Sequence, residues 1–463
     1  MHGNGCYVEL EHEGRAGYRQ AVKRAALVAS LASALLGPAL AQAEIVPGSV
    51  GASDAALAVA PGGSPLVAYV VQGSLRVASR SADGTWRSTR LAELPGRRVV
   101  LAGLAAGRNG SDAVLAEDAG GRWLALAERR AGRWRVRKVA AAPRRGLLGF
   151  GGLALDRSGH PLVAYAYELA SRRTWLRLVH EDRGGRLLGE RVTRGGFPPS
   201  DVLPSAAPAV LPSGAVRVVA AYGGATIEWS RTQDHRDWVG QLLYGSTLGA
   251  PAGIVRAAAG AGGVWSAWTE LFPSAGESQL LLTLHGDGER TTVLDHHGFL
   301  VSLALAATGP EVAADDYVDL DPAHSVFAGV VYDASGGALE LGAALEGYAV
   351  DAAGARHYLL DEPSGLAWYR APAPPAARVV LAAAAAGTVV DLSGRVAGAT
   401  GGSVELWRET SGRSELLATL PLSPDGSFSR ADTPPVRPVT YRAVYRDPAT
   451  GLPLASLLRT PFD

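Results

Sequence analysis

The chain has 463 residues, and its 44 basic and 44 acidic side chains give a formal net charge of zero at pH 7. This balance argues against a dedicated nucleic-acid-binding protein, which needs a strongly basic surface. The one cysteine is Cys6. Since no cysteine follows it, the chain beyond residue 6 cannot contain a disulfide framework, a thiol nucleophile or a cysteine zinc site. Beyond residue 43, no segment is long and apolar enough to span a bilayer.

Residues 1–43 have the organisation of an export signal with a polar leader. Basic side chains precede a short apolar run, Ala25–Ala41, and small residues follow it. This order is typical of a secretory signal peptide, with cleavage predicted between Ala43 and Glu44. We therefore expect a secreted protein that is extracellular or associated with the cell envelope. An uncleaved membrane anchor is the alternative, but the apolar run is short for a span.

The next part of the chain repeats one pattern. The clearest copies are Leu57–Leu94 and Leu153–Val192, each with four short apolar or alternating runs separated by glycine turns. Four short strands in a period of about 40–55 residues are the signature of a β-propeller. We predict an all-β fold with six or seven blades, seven being favoured. The seven predicted blades are residues 52–97, 98–145, 146–200, 201–248, 249–297, 298–343 and 344–382.

One short motif adds a family resemblance. Ser81–Trp86, with the sequence SADGTW, lies at the turn between the third and fourth strands of the first repeat. It resembles the Asp-box of secreted bacterial sialidase-like (BNR) propellers, S-x-D-x-G-x-T-W, although two spacer positions are missing. In that family the aspartate caps the turn and the tryptophan packs between blades. The resemblance therefore implies a fold and no activity.

The composition changes after Tyr369. Ala371–Ala377 is rich in proline and alanine, as in a semi-rigid spacer. We assign residues 44–382 to the propeller, with Arg378–Ala386 as a candidate last strand of the final blade. Short alternating runs in residues 383–463 predict a small β-sandwich. Ser427-Phe428 after a Pro-Asp-Gly turn, with Thr440–Tyr445, resembles immunoglobulin or fibronectin-III-like modules, which space or anchor secreted proteins.

Acidic and aromatic residues close the second strand of most repeats. In a propeller the loops after these strands lie at one end of the ring, so we expect the side chains to line one rim. Aromatic faces bind sugar C–H surfaces, and carboxylates accept hydrogen bonds from hydroxyls. The alternative is that the acids end strands at water and the aromatics fill gaps between blades. The predicted ligand-binding residues are Tyr69, Asp118, Tyr167, Glu168, Tyr222, Trp268, Glu270, Asp316, Tyr317 and Asp361.

Catalysis is a weaker hypothesis. Glycoside hydrolysis needs a pair of carboxylates, and the sequence does not select a pair. The sialidase pattern of an early Arg-Ile-Pro-like tripeptide is missing, as are G-x-S-x-G, P-loop and H-E-x-x-H motifs. We therefore expect a binding protein rather than an enzyme. The pool of catalytic candidates is Glu117, Glu168, Glu270 and Asp315.

Four aspartates give a hypothesis for a calcium site. Carboxylates at alternate positions of a loop suit Ca²⁺, although no glycine follows in the register of an EF-hand. A solvated acidic loop is the simpler interpretation, and we expect no cofactor other than a possible Ca²⁺. The candidate ligands are Asp315, Asp316, Asp319 and Asp321.

Arginines cluster in the second repeat. Arg133, Arg135 and Arg137 share one face of a predicted outer strand, where they could bind an acidic polysaccharide. The alternative is a solvated edge whose charge blocks aggregation.

These observations favour an exported binding protein that holds a carbohydrate or another extracellular or envelope ligand at the acidic-aromatic rim. A sialidase-like glycoside hydrolase or lyase on the same rim is the second hypothesis. A structural surface scaffold is the third.

Overall fold

A computed structural model describes residues 43–456. The segments outside the description are residues 95–98, 145, 170, 172, 183, 198–203, 223–224, 233–236, 246–251, 274–277, 287–290, 296–297, 322–323, 400, 411–412 and 436–438. The described residues form 36 strands in nine sheets and one short 3-10 helix, Arg108–Gly110. Within these residues, no helix has the length and apolar character that a membrane crossing needs.

Strand β1 (Glu44–Ile45) precedes seven repeated antiparallel sheets. Sheet I contains β2 (Asp54–Val59), β3 (Pro65–Val71), β4 (Ser74–Arg80) and β5 (Trp86–Glu93), and sheet II contains β6 (Val99–Ala106), β7 (Asp112–Asp118), β8 (Trp123–Arg130) and β9 (Arg133–Ala141). Sheet III contains β10 (Leu147–Leu148), β11 (Gly152–Leu155), β12 (Pro161–Glu168), β13 (Thr174–Glu181) and β14 (Leu187–Arg191). Sheet IV contains β15 (Ser205–Val210), β16 (Val216–Tyr222), β17 (Ala225–Arg231) and β18 (Trp238–Gly245).

The remaining three repeated sheets follow the same order. Sheet V contains β19 (Ala252–Gly260), β20 (Gly263–Pro273), β21 (Ser278–His285) and β22 (Thr291–Asp295), and sheet VI contains β23 (Gly298–Ala306), β24 (Gly309–Asp321), β25 (His324–Asp333) and β26 (Ala338–Glu340). Sheet VII contains β27 (Ala344–Val350), β28 (Arg356–Glu362) and β29 (Gly365–Ala371), with β1 at its outer edge.

The first strands of the seven sheets form a closed ring. Each contacts the first strand of the next sheet, in the order β2, β6, β11, β15, β19, β23 and β27, and β27 returns to β2. Antiparallel sheets packed radially in this way are a β-propeller. The predicted all-β propeller is therefore confirmed.

Glycine lets neighbouring first strands come close together. A Cβ atom built on Gly347 of β27 would lie 2.6 Å from the Leu57 Cβ of β2, and one on Gly103 of β6 would lie 2.8 Å from the Leu153 Cβ of β11. Such separations are well below van der Waals contact. The small residues that the sequence places in the first strands are thus a requirement of the ring.

The outer edge of sheet VII corrects one sequence-based expectation. Glu44 pairs with Trp368 and Ile45 with Ala367, so β1 takes the position that we assigned to Arg378–Ala386. The Glu44 carboxylate accepts hydrogen bonds from Arg80 Nε at 2.6 Å and from Trp86 Nε1 at 2.7 Å. Glu44 thus joins the last sheet of the ring to the first.

The Asp-box-like turn has the geometry that the resemblance implies. Asp83 Oδ1 accepts a hydrogen bond from the Thr85 N–H at 2.9 Å, and Gly84 has a φ of 87°. The Trp86 ring packs edge-on against Trp368 of sheet VII, with centroids 5.8 Å apart. Other hairpins use an aspartate in the same way, each accepting two backbone N–H groups: Asp156, Asp182, Asp333 and Asp351.

The last two sheets face each other as a sandwich. One contains β30 (Arg378–Ala386), β31 (Val389–Ala397) and β34 (Ser427–Asp432); the other contains β32 (Ser403–Thr410), β33 (Arg413–Pro421), β35 (Val439–Arg446) and β36 (Pro453–Ala455). Arg378–Ala386 pairs along its full length with β31, so this strand crosses the expected boundary between residues 382 and 383.

The sandwich docks on sheets VI and VII. One hydrophobic cluster runs from Leu392 and Leu406 of the sandwich to Leu345 and Tyr369 of sheet VII. The Gly342 N–H donates to the Pro453 carbonyl at 2.8 Å. The sandwich therefore shares a core with the end of the ring.

Replacing Glu44 tests the closure. Glu44→Ala removes a carboxylate that accepts charge-assisted hydrogen bonds, so we expect a loss of about 1–3 kcal/mol in the free energy of unfolding. Glu93→Ala is the matched control, because Glu93 and its partner Arg90 are both exposed and such pairs contribute less than about 1 kcal/mol. Urea unfolding of both variants measures the difference; equal losses would contradict a closing role.

Candidate functional site

The first strands enclose a cavity of about 370 Å³ on the axis of the ring. This volume lies within the range of small-molecule sites. The walls are mostly aliphatic, and we call this space the axial cavity. The polar side chains that line it are Ser53, Asp54, Glu117, Arg256, Thr269, Ser302 and Glu346, and the aromatic ones are Phe150, Phe299 and Tyr348.

Side-chain acceptors link neighbouring sheets near the same end of the cavity. Most first strands begin with a β-bulge, which leaves a backbone N–H without its ladder partner. In five such links among the described residues, the acceptor comes from the preceding sheet. The pairs are Asp54 with Leu101 N at 2.6 Å, Glu117 with Gly151 N at 3.2 Å, Ser205 with Val255 N at 3.0 Å, Thr269 with Leu300 N at 3.1 Å, and Asp315 with Leu345 N at 2.6 Å.

The four catalytic candidates differ in their position relative to the axial cavity. Asp315 is only 1% exposed, does not line the axial cavity, and binds the Leu345 N–H of sheet VII. Glu168 is half-buried and lies outside the cavity lining. The side chain of Glu270 falls outside the described part of the chain. Of the three candidates whose side chains are described, Glu117 is the one that lines the axial cavity.

Glu117 is buried and lines the axial cavity. Its Oε2 accepts the Gly151 N–H at 3.2 Å, and Arg256 acts on its carboxyl group electrostatically. Burial raises the pKa of Glu117 to about 8, against the lowering effects of the Gly151 N–H and Arg256. The charges of Asp54 and Asp118 raise it further. At neutral pH the carboxyl is therefore mostly protonated, and it can both donate and accept a hydrogen bond.

Two of the predicted rim aromatics are structural. Tyr69 is fully buried; its hydroxyl donates to the Pro47 carbonyl at 2.6 Å and lies 2.7 Å from Ser88 Oγ. Trp268 is also fully buried, with its ring 5.7 Å from that of Tyr244. Both fill space within or between sheets, which is the alternative that the sequence analysis left open.

Of the other rim residues, Asp118 and Tyr167 are half-buried and Tyr222 is buried. Asp118 Oδ2 accepts the Arg122 N–H at 3.2 Å, and Tyr167 lies under the Arg177 guanidinium at 5.8 Å. Tyr222 stacks on Phe197 at 4.4 Å.

Burial and the nearby charge of Glu168 raise the pKa of Tyr222 to about 12. Asp316 and Asp361 are half-buried, and the side chain of Tyr317 is outside the description. None of the eight predicted ligand-binding residues whose side chains are described lines the axial cavity.

The metal hypothesis finds little support in geometry. Asp315 and Asp316 are neighbours in β24 and point to opposite faces of the sheet. The side chains of Asp319 and Asp321 lie outside the described residues. Within the described ranges, no three His, Cys, Asp or Glu side chains are grouped so that they could hold a metal ion.

Sequence reasoning missed Arg256, Thr269 and Glu346. Arg256 had a usable signal, because it is the only charged residue in β19, a strand of Ala, Gly and other apolar residues. Glu346 had none, because it follows Leu345 at a bulge, where the alternation of side chains between faces is interrupted.

Comparison with known proteins gives a likeness of fold. No family model matches the sequence, and no curated protein matches it significantly. Virginiamycin B lyase from Staphylococcus aureus is 9% identical, with a TM-score of 0.44 over 71% of this chain and 97% of the lyase. AofleA from Arthrobotrys oligospora is 12% identical, with a TM-score of 0.41 over 65% and 90%. Alpha-L-arabinanase from Penicillium chrysogenum is 13% identical, with a TM-score of 0.40 over 64% and 99%. The lyase and the arabinanase are propeller-like proteins.

The pKa of Glu117 predicts a pH-dependent stability. Between the ordinary pKa of a glutamate and about pH 8, the folded protein binds one proton more than the unfolded chain. The free energy of unfolding therefore falls as pH rises through this window, by up to about 1.4 kcal/mol per pH unit. Glu117→Gln removes this contribution. The free energy of unfolding of the variant, relative to that of the parent, should therefore increase as the pH is raised from 5 to 8.

Urea unfolding of parent and variant at several pH values across this window measures the effect. The exposed Glu93→Gln change serves as the control and should follow the parent. If the free energy of unfolding of Glu117→Gln has the same pH dependence as that of the parent, the Glu117 carboxyl group has an ordinary pKa in the folded state and the prediction is wrong.

Proposed function

We propose that this protein is an exported binding protein and that the axial cavity holds its ligand, a small carbohydrate. The supporting observation is the Glu117 carboxyl group, which is 6% exposed and lies at the wall of a cavity of ligand size. A ligand hydroxyl at this wall could exchange hydrogen bonds with that carboxyl group.

The lining suits a hydroxyl-rich ligand. A protonated Glu117 can donate to one hydroxyl and accept from another, while Asp54 and Glu346 supply acceptors and Arg256 supplies donors. Phe150, Phe299 and the aliphatic walls offer apolar surface to sugar C–H groups. The site thus keeps the acidic and aromatic character predicted for the rim, with different residues.

The proposal of export relies on the N-terminal region. Cleavage between Ala43 and Glu44 would leave Glu44 as the first residue of β1, the strand that completes sheet VII. The strand orders β30-β31-β34 and β33-β32-β35-β36 support the resemblance to a fibronectin-III-like module. Such a module would space or anchor the propeller, and the Asp83 turn supports a sialidase-like relationship.

A matched pair of variants tests the site. Glu117→Leu and Asp315→Leu each remove a buried carboxyl and one inter-sheet hydrogen bond, but only Glu117 lines the axial cavity. We expect Glu117→Leu to weaken oligosaccharide binding about tenfold, the value of roughly one hydrogen bond. Asp315→Leu should bind as the parent does.

The measurement is titration calorimetry against a panel of neutral and acidic oligosaccharides, with circular dichroism to verify folding. Equal weakening by both variants would mean that the effect is structural. Unchanged affinity in Glu117→Leu would exclude the axial cavity as the site.

A glycoside hydrolase is the second candidate, and the raised pKa of Glu117 favours it. A carboxyl that stays protonated at neutral pH has the property of a general acid, and Asp54 and Glu346 line the same cavity. Fragment release, scored in the same incubations as binding, decides between the two. Release that Glu117→Gln abolishes while binding persists would make the protein an enzyme.

A further inference from the structure

A groove between the outer parts of sheets I and II forms a second candidate site, away from the axis. It has a volume of about 540 Å³. Its floor consists of aliphatic and hydroxyl side chains of β4 and β5, and its walls carry positive charge. We call this space the arginine groove. Its charged and aromatic lining residues are Arg87, Arg90, Arg129, Arg133 and Trp134.

Strand alternation builds this groove. The outermost strands β5 and β9 lie beside each other where the two sheets splay apart. Arg87 and Thr89 are two residues apart in β5, so they share one face of the strand. Trp134 of β9 packs partly against the hydrophobic cluster between the two sheets. One edge of its ring is held by the core, while the residue as a whole remains half-exposed.

The four guanidinium groups differ in what they bind. Arg129 forms an ion pair with the buried Asp112 and lies 5.7 Å from the Trp134 ring centroid. Arg90 pairs with Glu93, but both side chains are exposed, so the pair contributes little.

The side chains of Arg87 and Arg133 are exposed, and neither guanidinium group forms an ion pair or a hydrogen bond within the described residues. Asp83 interacts with Arg87 electrostatically but does not pair with it. Arg87 and Arg133 are therefore the cations of the groove that are available to a ligand.

The structure also corrects the basic face predicted from sequence. Arg137 is nearly buried and binds Glu128 at 2.7 Å and the Gly185 carbonyl of sheet III at 2.7 Å. It stabilises the packing of sheet II on sheet III. Arg133, Arg135 and Arg137 therefore do not form one free surface, and Arg133 belongs instead with Arg87.

We propose that the arginine groove binds a chain of an acidic polysaccharide. Guanidinium groups bind carboxylates and sulfates through paired, charge-assisted hydrogen bonds. The chain as a whole is neutral, so this local positive charge is a feature of the groove and not of the entire surface. A nucleic acid requires a longer basic track than two free arginines provide. This inference is independent of the ligand in the axial cavity.

Heparin is the probe, because it is a linear polymer with dense carboxylate and sulfate groups. The test variant is the double change Arg87→Gln with Arg133→Gln. The control is Arg157→Gln with Arg430→Gln, two exposed arginines outside the groove that make no described ion pair, so both doubles change the net charge equally. We expect the test variant to bind heparin about tenfold more weakly and to elute at lower salt. The control should match the parent.

Three results would overturn the proposal. One is that the parent fails to bind heparin; another is that both double variants lose the same affinity, which would mean a response to net charge alone. The third is that the test variant loses binding to duplex DNA while heparin binding is unchanged. Thermal melting verifies folding, and the single Arg133→Gln variant, with an expected smaller loss, replaces the double if the double does not fold. Glu117→Leu should leave heparin binding unchanged, which separates this site from the axial cavity.

Discussion

The ring depends on satisfying the backbone N–H groups that the bulges of its first strands leave without ladder partners. A buried N–H without an acceptor costs free energy comparable to a lost hydrogen bond. Here the acceptor is a side chain of the preceding sheet, as when Asp54 of sheet I binds Leu101 of sheet II, or Asp315 of sheet VI binds Leu345 of sheet VII. The bulges allow the first strands to turn towards the axis, and the side-chain acceptors fix each sheet against the next.

The same requirement explains why polar groups line an otherwise aliphatic cavity. A carboxylate has two oxygens and more acceptor capacity than one N–H can use. Where the acceptor is a threonine or serine, as at Thr269, the single hydroxyl oxygen of the side chain accepts the N–H. Where it is Glu117, one oxygen binds Gly151 and the side chain also lines the axial cavity. Burial in this position also raises the pKa of Glu117 to about 8. The Glu117 side chain thus both links sheet II to sheet III and forms part of the candidate site.

The repeated strands could be predicted from the sequence, but the residues that line the axial cavity could not. Hairpin aspartates followed by glycine, as at Asp156 and Asp351, have local causes, so turns and strands could be predicted. The inward direction of a side chain depends on alternation, which a bulge shifts by one residue. For that reason Glu346 was missed. Tyr69 and Trp268, expected at a rim, are fully buried because their rings belong to hydrophobic clusters. The outer strand of sheet VII was equally out of reach, because Arg378–Ala386 alternates as well as a blade strand should, and its true partner is decided by the sandwich.

Sheet VII is where these constraints meet. It is the only repeated sheet whose outer strand comes from the far end of the chain, and β1 has only two residues, so ladder hydrogen bonds alone cannot hold it. Side chains supply the remainder: Glu44 binds Arg80 and Trp86 of sheet I, and Ser49 Oγ accepts the Leu366 N–H at 2.9 Å. The sandwich covers another part of the same sheet through a shared core. Closure of this ring therefore combines the short β1 ladder with polar side-chain contacts and an apolar cluster shared by sheets VII and I.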